Sequence, residues 1–64
     1  MKHRGIKILA KVSDKKVYFY VDGVLKFADV FQYASHALDY ANALAERYSH
    51  HNPVVTLDMR GVFA

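Results

Sequence analysis

Residues 17–28 read Val17-Tyr-Phe-Tyr-Val-Asp-Gly-Val-Leu-Lys-Phe-Ala28, and this stretch decides the fold. Two runs rich in β-branched and aromatic residues flank Asp22-Gly23, the strongest short-range hairpin signal a sequence carries. Asp and Gly tolerate the positive φ angles of a type I′ turn, whose twist matches that of the flanking strands. A two-residue loop sets Val21 opposite Val24, Tyr20 opposite Leu25, Phe19 opposite Lys26 and Tyr18 opposite Phe27.

Upstream, Ile6 to Ser13 alternates in hydropathy, the period of a half-buried strand. Ser13-Asp14-Lys15-Lys16 is a turn, with Asp suited to bonding its own backbone. A two-residue Asp14-Lys15 loop places Val12 opposite Val17, Ala10 opposite Phe19 and Leu9 opposite Tyr20. Register then sorts the side chains. One face is expected to carry Ile6, Ile8, Ala10, Val12, Val17, Phe19, Val21, Val24 and Ala28. The other carries Lys7, Leu9, Lys11, Tyr18, Tyr20, Leu25 and Phe27.

Downstream, Asp29-Val-Phe-Gln32 has capping-box form and Ser35 is a competing cap, so a helix starts between Val30 and His36. Ala34, Ala37, Leu38, Ala41, Leu44, Ala45 and Tyr48 form its apolar stripe. His36, Asp39, Tyr40, Ala43, Glu46, Arg47 and His50 form the polar side. Asn52-Pro53 ends it. Val54 to Met59 alternates again as a last strand, followed by Arg60-Gly61 and an apolar tail, Val62-Phe63-Ala64, expected to dock. The fold class is therefore α+β with element order β-β-β-α-β: a three-stranded antiparallel meander, one helix on one face, and a fourth strand. A right-handed crossover returns that strand parallel to the first and third. It can join either, or the same strand of a second chain. Residues 1–64 make one domain, with 1–5 frayed and 61–64 peripheral.

Sixty-four residues bury a small core, and without cysteine there is no disulfide to staple it. Oligomerisation is the remaining staple, and 53% apolar residues leave some for a surface. The formal charge of +3 favours an anionic partner. The basic start, Met1-Lys2-His3-Arg4, precedes an apolar run broken at Lys7 and Lys11, so no signal peptide or membrane span is expected and the setting is cytoplasmic.

No motif carries catalysis or a cofactor. Gly5, Gly23 and Gly61 are isolated, and Ser13, Ser35, Ser49 and Thr56 lack a nucleophile elbow. His50 and His51 point about 100° apart on a helix, poor geometry for one metal ion, and His3 stands far off in sequence. His36, Asp39 and Tyr40 read as a solvated helix face. Asp14, Asp22 and Asp29 have turn or cap roles, and Asp58 is expected in an ion pair or as an edge charge.

The surface that carries meaning is the sheet face a single helix cannot cover. Tyr18, Tyr20, Leu25, Phe27 and Leu9, rimmed by Lys7 and Lys11, form an apolar patch where an antiparallel sheet normally shows polar residues. A protein partner, including a second copy, ranks ahead of single-stranded nucleic acid stacked on the rings. Metal, cofactor and small-molecule ligand are not expected.

The aromatic strand, Asp-Gly turn and alanine-rich helix, Tyr18-Phe-Tyr-Val-Asp-Gly-Val and Ala37-Leu-Asp-Tyr-Ala-Asn-Ala-Leu-Ala, resemble small bacterial and phage hairpin-plus-one-helix domains. In size and cysteine-free style the chain also resembles phage-encoded inhibitors such as anti-CRISPR proteins. The open face and the lack of catalytic motifs lead to the expectation of a non-enzymatic interaction module, a homodimer or a binder of a larger host protein, and the resemblance suggests the concrete form: a phage or mobile-element inhibitor that occludes a host defence or nucleic-acid-processing protein.

Overall fold

The computed structural model describes residues 5–62. Strands β1 (Ile6–Lys11), β2 (Lys16–Val21) and β3 (Val24–Val30) precede helix α1 (Ala34–Arg47), and β4 (Val54–Asp58) closes the order β-β-β-α-β. The sheet runs β3-β2-β1-β4. Neighbours β1, β2 and β3 pair antiparallel, and β4 lies parallel to β1. The crossover through α1 thus settles on β1.

Asp22 and Gly23 take φ values of 52° and 82°, the two positive angles of a type I′ turn. Val21 meets Val24 and Tyr20 meets Leu25, as the sequence predicts. Beyond that pair the expected register fails. β3 bulges at Lys26, so Phe19 faces Phe27 and Tyr18 faces Ala28. The extra residue reverses the alternation. Phe27 moves to the helix side, where its ring stacks on Phe19 with centroids 4.8 Å apart. Ala28, expected on the helix side, moves to the open face.

The first loop also differs. Val12–Asp14 forms a 3₁₀ turn, closed by Lys15 in the left-handed region with its N–H on the Val12 carbonyl. The turn takes up residues that the two-residue reading gave to the strands. Ala10 therefore faces Val17, Ile8 faces Phe19 and Leu9 faces Tyr18. The shift is two residues, an even number, so every β1 side chain keeps its expected face.

The core is Ile6, Ile8, Ala10, Val12, Val17, Phe19 and Val21 from the sheet and first turn, against Ala37, Ala41 and Leu44 from α1. Ile8 and Val17 are fully enclosed, each contributing about 1.5–3 kcal/mol by burial. Alanines on both elements, Ala10 on β1 and Ala37 and Ala41 on α1, are fully buried, and such small side chains let a helix lie close to a sheet.

The helix starts at Ala34, within the expected interval, but neither expected cap is used. Tyr33 occupies the N-cap without a side-chain bond, Asp29 is inside β3 and Ser35 is inside the helix. Tyr40, read as part of the polar side, is half-buried against the core and packs its ring on Phe31 at 5.1 Å. Burial first, then the Asp29 carboxylate beside it, raises its phenol above the ordinary value. Gly5, read as frayed, is held by Asp22 through two hydrogen bonds. Val62 packs on the core, while Phe63, Ala64 and residues 1–4 lie outside the described residues.

Candidate functional site: the helix-free sheet face

Partners across a ladder share a face, so register assigns the side of the sheet away from α1. β1 gives Lys7, Leu9 and Lys11, and β2 gives Lys16, Tyr18 and Tyr20. β3 adds Leu25, Ala28 and Val30, and β4 adds Val54, Thr56 and Asp58. Six of the seven predicted site residues are thus together: Tyr18, Tyr20, Leu25, Leu9, Lys7 and Lys11. Phe27 is on the opposite side.

The two tyrosines form a ladder with the lysines of β1. Lys7 Nζ lies over the Tyr20 ring, 5.7 Å from its centroid, and Lys11 Nζ over Tyr18 at 5.6 Å. These are cation–π distances, worth about 0.5–1 kcal/mol at an exposed site. Lysine can cover apolar surface with its stem while its ammonium stays in water. Tyr18, Tyr20 and Leu9 are half-buried although no helix covers them. Leu25 and Val30 remain exposed at the β3 edge. The face therefore carries two rings, each beneath a lysine ammonium, with a third cation, Lys16, on the same side.

Asp58 supplies its acidic corner. Arg60 Nε donates to Asp58 Oδ1 at 3.0 Å and Arg60 Nη2 to Oδ2 at 2.8 Å, with the Arg60 backbone N–H adding a third bond to Oδ1 at 3.2 Å. This forked contact holds the carboxyl down to about 2. The ion-pair role expected for Asp58 is the one observed.

The polar helix residues are placed as follows. His36 is exposed and lies edge-on to Tyr33 at 5.2 Å. Tyr40, expected with His36 and Asp39 on a solvated helix face, packs its ring on Phe31. Among the described residues no three of His, Cys, Asp and Glu cluster for a metal ion. No described helix is long and apolar enough to cross a membrane.

Sequence reasoning missed a cleft on the helix side, about 450 Å³, lined by Ile6, Phe19, Val21, Lys26, Tyr48 and His51. Lys26 lies on this side by simple alternation from Val24, and the other lining residues come from β1, β2, the end of α1 and the turn after it. Compared with protein-family models, curated proteins and solved structures, the chain has no significant match to any of them.

Proposed function

We propose that the chain is a non-enzymatic protein-interaction module that docks its helix-free sheet face on a larger protein and covers that partner's working surface. The Lys7–Tyr20 and Lys11–Tyr18 ladder carries this reading. Tyrosine is a preferred anchor at protein interfaces, giving large contact area at low entropic cost. Lysines around it steer encounter and select an acidic rim on the partner. Two copies of this face would bring six lysines, Lys7, Lys11 and Lys16 of each, into one interface, which favours a different molecule with an acidic rim as the partner. Inhibition of a host defence or nucleic-acid-processing protein by a viral or mobile-element product is the setting that suits a small platform acting by coverage.

Single-stranded nucleic acid is the second reading, supported by three lysines sharing a face with two tyrosines. It ranks lower because an ammonium group already lies over each ring, and a stacking base would have to displace it. Titration of labelled oligonucleotides at low and moderate salt separates the two. The nucleic-acid reading requires binding that falls steeply with salt. The protein reading expects no appreciable oligonucleotide binding, and expects a protein captured by the immobilised chain to be lost on Tyr20→Ala with the fold intact. Capture unchanged by Tyr18→Ala and Tyr20→Ala together overturns it.

A further inference from the structure

The two edges of the sheet are guarded differently. β3, at one end, is broken by the bulge at Lys26 and carries Asp29. Bulges and charges on an edge strand block the addition of another strand. β4, at the other end, reads Val54-Val-Thr-Leu-Asp58 and has a regular ladder to β1 over its whole length. Its only charge is the terminal Asp58, already engaged by Arg60, and Pro53 stands before the strand. Val54, Val55 and Leu57 are 61%, 38% and 42% exposed. An unguarded edge of β-branched and aliphatic residues is a template for pairing.

We infer that β4 pairs with β4 of a second copy of this chain, antiparallel about a two-fold axis through Thr56, making one continuous eight-stranded sheet. The strand is self-complementary in that register. Thr56 meets Thr56, and Val55 meets Leu57 of the other copy in both directions. The rows behind these pairs continue through the boundary. On the helix side, the buried Ala10 leads to Leu57, then to Val55 and the buried Ile8 of the second copy. On the open side, Lys11 leads to Asp58, then to Val54 and Lys7 of the second copy, with the acidic residue between the two lysines. Apolar thus meets apolar and no like charges are opposed, as an isologous interface requires. The pairing supplies the oligomeric staple that a cysteine-free chain of this length otherwise lacks.

The axis stands perpendicular to the sheet, so both helices fall on one side and both tyrosine-lysine ladders on the other. The inference is independent of what the open face binds, because that face stays uncovered.

Light scattering on the full chain tests it, with far-UV circular dichroism to follow the fold. The wild type is expected at twice the 7.3 kDa chain mass. Thr56→Lys and Thr56→Glu each oppose like charges on the axis and are expected at the single-chain mass. Their equimolar mixture opposes unlike charges and is expected to recover the doubled mass, which only two folded variants can do. Tyr18→Ala with Tyr20→Ala is expected to keep it. A wild type at single mass up to its solubility limit, a doubled mass unchanged by either Thr56 variant, a mixture that stays at single mass, or loss of the doubled mass on changing the tyrosines would each overturn the inference.

Discussion

Gly5 and Asp22 are bonded to each other twice: the Gly5 N–H donates to Asp22 Oδ1 at 2.8 Å, and the Asp22 N–H donates to the Gly5 carbonyl at 2.8 Å. One residue thus makes the positive-φ turn of the central hairpin and anchors the start of β1. Asp22→Ala removes a charge-assisted bond and places a Cβ residue without local side-chain bonding at φ 52°. The expected loss is about 2–4 kcal/mol in urea unfolding, from the bond and the backbone strain together. Asp22→Asn keeps an acceptor and tolerates the left-handed region, so it should lose less than half as much.

Phe27 and Tyr20 should separate stability from binding. Phe27 stacks on Phe19 on the helix side, so Phe27→Ala is expected to lower stability by about 1–3 kcal/mol and leave partner affinity unchanged. Tyr20→Ala is expected to do the reverse, with chemical denaturation and a binding titration run on the same samples.

The Asp58–Arg60 pair sets a low-pH response. The folded carboxyl titrates at about 2, below its ordinary 3.8, so the stabilisation it gives is complete above pH 4 or so and fades as pH falls through about 2. Arg60 is 90% exposed, and solvent screening keeps the contribution small. Thermal melts across this window should show the wild type losing more midpoint than Asp58→Asn, which lacks the titrating group.

The core offers a plain calibration. Ile8 has no exposed surface, so Ile8→Val should cost about 0.5–1.5 kcal/mol and Ile8→Ala about 2–5 kcal/mol. In a chain this small, equilibrium denaturation should find the Ala variant largely unfolded.

The readable parts of the fold were those with a strong local cause. The alternation of Ile6 to Lys11, the Asp22-Gly23 turn and the alanine stripe from Ala34 to Ala45 each constrain the chain within a few residues. The Lys26 bulge had no such signature, since Leu25-Lys26-Phe27 continues a regular alternation, and its cause is tertiary: the place for a second ring against Phe19. The first turn differs from the two-residue loop because Lys15 adopts φ 59°, a conformation that lysine does not advertise. That error left the faces intact, being even, whereas the odd insertion at Lys26 removed Phe27 from the candidate site. Neither cap signal is used, because β3 runs on through Asp29 and the helix begins one residue before Ser35. Six of the seven site residues were legible because β1 and β2, which carry most of them, alternate without interruption.

The central claim is that Tyr18 and Tyr20, on the side of the sheet without a helix, hold the partner. The most direct measurement is calorimetric titration of the captured partner against wild type, Tyr18→Ala with Tyr20→Ala, and Phe27→Ala. The account predicts that the tyrosine variant weakens binding by about 2 kcal/mol or more, the scale of an interface anchor, while Phe27→Ala binds as wild type. Equal affinity for wild type and the tyrosine variant, with Phe27→Ala the weak one, would place the contact on the helix side and contradict it.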